Sequence, residues 1–89
     1  MNSYLKHIEH TELITEIDAT LTTGDLDYPG TAIEVRSADA EDRELFHVVV
    51  DGKGRQQVLF YAHDANYRIP LDRLSDIISK AKTEVHMTE

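Results

Sequence analysis

Apolar residues fall at helical spacing towards both ends of this chain and at strand spacing in its middle. From Ser3 to Thr23, Leu13, Ile14, Ile17 and Leu21 share one side of a helix at about 100° per residue, which predicts a core-facing stripe. Asp25-Leu26-Asp27-Tyr28-Pro29-Gly30 predicts a loop. Thr31 to Ser37 then alternates Ile33 and Val35 against Glu34 and Arg36, the period of a half-buried strand, here expected at a sheet edge. The acid-rich run Ala38 to Arg43 predicts a solvated turn, and Glu44 to Val50, rich in β-branched and aromatic residues, a central strand. Asp51-Gly52 between two apolar runs signals a hairpin leading into a third strand over Arg55 to Ala62. After a turn at His63 to Asn66, Pro70 is placed to open a last helix, along which Leu71, Leu74, Ile77, Ile78, Ala81 and Val85 recur at helical spacing. The expected fold is α+β over residues 1–89 as a single small domain. Its order is αβββα, a three-stranded antiparallel sheet with an N-terminal and a C-terminal helix.

Two surfaces of that fold need cover. If the first helix runs unbroken, Leu5, Ile8, Glu9, Glu12 and Glu16 cluster on the side opposite its core stripe, giving an acidic face with apolar members. A break near His10-Thr11, with Thr11 capping a second segment, would instead turn Leu5 and Ile8 towards the core. The sheet is apolar on both faces: Phe46, Val48 and Val50 alternate with Leu45 and Val49, and Phe60 with Leu59 and Tyr61. Such a sheet is covered by one helix on each face, or by two helices on one face and a second subunit or partner on the other.

Charge narrows the functions. The 89 residues carry a net charge of −8, and the first thirty hold six acids against one base. A surface of that sign repels phosphate, so no direct nucleic-acid binding is expected. The order αβββα resembles the double-stranded-RNA-binding domain, but that family opens its last helix with basic residues, and here the turn reads Pro70-Leu71-Asp72-Arg73-Leu74-Ser75-Asp76. The absence of cysteine excludes a disulfide framework, a thiolate metal site and a cysteine nucleophile. Without a long apolar run or a signal-like N-terminus, the reading is a cytoplasmic protein with no membrane partner.

Reactive constellations are sparse. His7 and His10 stand three apart on the expected helix but lack an evident third metal ligand. Asp25 and Asp27 miss the offsets of a calcium loop, and His47 or His63-Asp64 would need an orienting partner to serve as a general base. No catalytic residue, metal or cofactor is assigned, and the chain does not read as an enzyme.

The expected function is that of a small acidic protein-binding module that inhibits or masks a basic partner. A nuclease toxin or a nucleic-acid-binding defence protein would be such a partner, making the chain an immunity, antitoxin or anti-defence protein. Glu9, Glu12, Glu16, Asp25 and Asp27 would meet the basic side chains of the target, and Leu5, Ile8 and Tyr28 would supply apolar contact. The alternative is a structural or regulatory homodimer, closed through edge strands or a sheet face, with no charged target.

Overall fold

The computed structural model describes residues 11–23, 29–39, 41–61 and 66–88. Along them run strands β1 (Glu12–Leu13), β2 (Ile17–Thr22), β3 (Ala32–Ser37), β4 (Glu44–Val50), β5 (Gln56–Phe60) and β6 (Tyr67–Arg68), followed by helix α1 (Leu71–Glu84). Strands β2 to β5 form an antiparallel sheet in sequence order, and β1 pairs in parallel with β6 beside it. The molecule is therefore α+β with a C-terminal helix, as expected, but its sheet has four strands in place of three. No helix among the described residues is long and apolar enough to cross a membrane.

The N-terminal helix is the main correction. Residues 3–10 of its expected span lie outside the described residues, while 11–23 form β1 and β2. Seven of these thirteen residues are Thr or Ile, whose branched Cβ disfavours helix and suits a pleated surface. Ile17, Ala19 and Leu21 alternate with Asp18, Thr20 and Thr22, and every residue of β2 pairs with β3 from Ile17↔Ser37 to Thr22↔Ala32. The helical reading arose because positions four apart, such as Ile17 and Leu21, share a face in both periodicities. With β2 added, β3 is an inner strand, not the expected edge, and β2 and β5 are the edges.

Cross-strand register places Ile17, Ile33, Val35, Phe46, Val48 and Val50 on one face. Helix α1 packs there through Ile77, Ala81 and the adjoining Val85. Full burial of a side chain such as Ile33 or Val35 stabilises the fold by about 1.5–3 kcal/mol. Of the expected helical stripe, Leu71 and Ile78 are exposed. Gln56 at the start of β5 holds the far end of the helix, its Nε2 donating to the carbonyls of Ala81, Lys82 and Val85 at 3.1, 3.2 and 2.8 Å. Ala81 O also accepts the amide of Val85, the last bond of the helix, so Gln56 adds a second donor there and reaches the carbonyls of Lys82 and Val85 beyond it.

The β4–β5 hairpin forms where the Asp-Gly signal predicts it, although the left-handed residue is Gly54 (φ 78°). Asp51 organises the loop. Its Oδ1 accepts the amides of Lys53 and Arg55, and its Oδ2 accepts Arg55 Nε at 2.8 Å.

Candidate functional site

The two edges of the sheet differ. On β2 the bonded pairs begin with Ala38 N donating to Glu16 O, so the carbonyls of Ile17, Ala19 and Leu21 face outward. Arg73 Nη2 reaches across from α1 to donate to Ile17 O at 3.0 Å, covering part of this edge with a charged side chain. On β5 the amide of Asp51 donates to Arg55 O, so alternation puts the bonded pairs at Val49/Gln57 and His47/Leu59. The peptide groups of Gln56, Val58 and Phe60 consequently point away from β4, and no described strand pairs with them.

Strand β5 also lacks the usual protections of an edge, since Gln56-Gln57-Val58-Leu59-Phe60 contains no charge, no proline and no bulge. Its side chains on the helix face are open to solvent, with Val58 45% and Phe60 71% exposed. Between β5 and α1 runs an apolar groove of about 300 Å³, floored by Phe46 and Val48 and walled by Val58, Phe60, Ile69 and Ile78. A second hollow of about 180 Å³ continues it past Val58 and Ile78 towards Gln56.

The acidic residues gather elsewhere, around the β3–β4 turn. Arg43 donates through both Nη atoms to Glu12 at 2.8 Å and lies within 3.6 Å of Asp39 and 3.2 Å of Glu41. The hydrogen bond to Glu12, aided by these charges, raises the pKa of Arg43. Arg36 pairs with Asp42 at 3.0 Å and Glu44 at 2.9 Å. Asp39 is held below the ordinary carboxylate range, first by the Ser37 hydroxyl and then by the amides of Glu41 and Asp42. Five carboxylates thus surround two guanidiniums and leave this end negative. Exposed Glu16 shares a small cleft with Asp39.

Of the expected contact residues, Glu12 and Glu16 are brought to this acidic end, on β1 and on the link to β2 and not on a helix face. Leu5, Ile8, Glu9, Asp25, Asp27 and Tyr28 lie outside the described residues, as do His7, His10, His63 and Asp64. The exposure of Val58 and Phe60 was not assigned from sequence, although the alternation of the third strand marked it as apolar on two faces.

Comparison with protein-family models, curated proteins and solved structures returns no match.

Proposed function

We propose that this chain is a non-enzymatic protein-binding module that works as a homodimer. In this reading β5 of one copy adds antiparallel to β5 of a second, and the acidic end of each remains outward to receive a basic protein, such as a nuclease toxin or a nucleic-acid-binding defence protein. The observation that carries the dimer is the open, uncharged β5 edge beside an apolar groove. Strand addition satisfies outward peptide groups while alternate side chains fill pockets.

A second copy fits this edge because the pairing is self-complementary. With the two-fold axis at Val58, Val58 faces its own counterpart and Gln56 faces Phe60, so each copy's outward peptide groups meet the other's. Both helices then lie on the same side of an eight-stranded sheet, and the two grooves adjoin. The absence of charge on β5 lets two chains of net −8 approach there.

Light scattering on the purified chain across the micromolar range tests the arrangement. Val58→Lys places two ammonium groups opposite one another across the axis, where like charges destabilise a pair, and removes apolar contact from the groove. The expected outcome is a dimer for the parent chain and a monomer for Val58→Lys, with dimer affinity reduced roughly tenfold or more. Leu71→Lys, exposed on α1 and off the β5 strand, leaves the dimer intact. A parent chain that stays monomeric, or a Val58→Lys variant that dimerises equally well, overturns the proposal.

A further inference from the structure

The face of the sheet opposite α1 holds a separate cluster. His47 on β4 is only 5% exposed, its ring packs edge-on against Tyr61 at 4.9 Å, and Nδ1 lies 3.1 Å from Tyr61 Oη. Its other nitrogen, Nε2, is buried and has no hydrogen-bond partner among the described residues. It points between two carboxylates, at 3.7 Å from Glu34 Oε1 and 4.0 Å from Glu44 Oε1. Those separations are too long for hydrogen bonds. They fall inside the ~4.2 Å that two metal–ligand bonds of about 2.1 Å can span.

A β-bulge assembles the cluster. Val35 pairs with Phe46 but Arg36 pairs with Glu44, so Leu45 is an extra residue on β4. In a regular strand, residues three apart project from opposite faces. The extra residue brings Glu44 to the same face as His47, the kind of re-aiming that bulges perform beside functional sites. The charges also suit a cation. Glu34, Glu44 and Asp42 gather around the guanidinium of Arg36, so carboxylates outnumber the cation in this group of four.

We propose that His47 Nε2, Glu34 and Glu44 form a binding site for a divalent cation of the zinc type. A donor set of one imidazole and two carboxylates suits zinc better than magnesium or calcium, which prefer oxygen alone. With metal on Nε2 the imidazole carries its proton on Nδ1, 3.1 Å from Tyr61 Oη, which then accepts it, while Arg36 Nη1 orients Glu44 by donating to Oε1 at 2.9 Å. Glu34 and Glu44 are each partly exposed, giving the ion a path from solvent. Three protein ligands leave a fourth position for water or for a group from a partner.

Calorimetric titration with zinc chloride, with magnesium chloride as comparison, tests the site in the full chain. Glu34→Gln changes a partly exposed residue and is expected to weaken zinc binding roughly tenfold or more, whereas His7→Ala/His10→Ala leaves a site of unchanged affinity. In nitrogen-15 spectra of the unmutated chain, zinc shifts the Nε2 resonance of His47 and leaves that of Nδ1 in its protonated range. Equal zinc affinity in Glu34→Gln and the unmutated chain, or a His47 ring unmoved at saturating zinc, overturns the proposal. The ring spectrum decides the matter even if a substituted chain fails to fold.

Discussion

Asp51 shows how much one side chain settles locally. Its two oxygens accept two amides and the guanidinium of Arg55, and with them the loop that starts β5 takes its shape. The Arg55 amide is the first cause of a pKa held below the ordinary 3.8, followed by the Lys53 amide and then the Arg55 side chain. A carboxylate with a depressed folded value contributes stability above its unfolded value, and that contribution is lost as pH falls through the folded one. The urea midpoint of the unmutated chain should therefore exceed that of Asp51→Asn at neutral pH, and the gap should close below pH 3.8. A gap independent of pH would mean that ionisation of Asp51 is not the source of the difference.

At the scale of elements, Gln56 joins β5 to α1 where neither supplies the bond alone. Three carbonyls at the helix terminus converge on its Nε2. Gln56→Ala should cost about 1 kcal/mol in urea unfolding. Gln56→Glu should cost a further 0.3–1 kcal/mol or so, because it sets an anion against the negative end of the helix dipole. Equal stability of the two variants would show that the helix end is satisfied by solvent. The same scale explains what was legible in the sequence. Strands β3, β4 and β5, the hairpin and α1 could be read because period and turn chemistry agreed there. The segment 11–23 could not, since Ile17 and Leu21 satisfy either period and the choice depends on pairing with β3, whose partners run from Thr22↔Ala32 to Ile17↔Ser37. The cluster at His47 was hidden for a related reason. Glu44 belongs to the opposite face of any regular strand, and the bulge at Leu45 that moves it leaves no mark in composition. The β5 edge was half legible: its apolar alternation was plain, but its position at an edge awaited the pairing order.

The whole molecule combines an uncharged sheet edge, the proposed dimer contact, with a strongly acidic β3–β4 end, and the two should answer salt with opposite signs. Dimerisation through β5 doubles a net charge of −8 without forming an ion pair at the interface, so the electrostatic term opposes it. Raising ionic strength from about 0.01 M to 0.1 M shortens the Debye length from about 30 to about 10 Å and weakens that repulsion, so the dimer should tighten. Capture of a basic protein at the end bearing Glu12, Glu16, Asp39 and Glu41 relies on attraction, and the same change of salt should loosen it. Glu16→Lys, at an exposed position remote from β5, should reduce capture and its salt dependence while leaving the dimer unchanged. Sedimentation of the chain alone and retention of basic proteins from its source lysate, each followed across this salt range, separate the two surfaces. If dimer and capture respond to salt in the same direction, the division of labour between edge and acidic end is wrong. If only the dimer forms, self-association is the function and the acidity serves solubility.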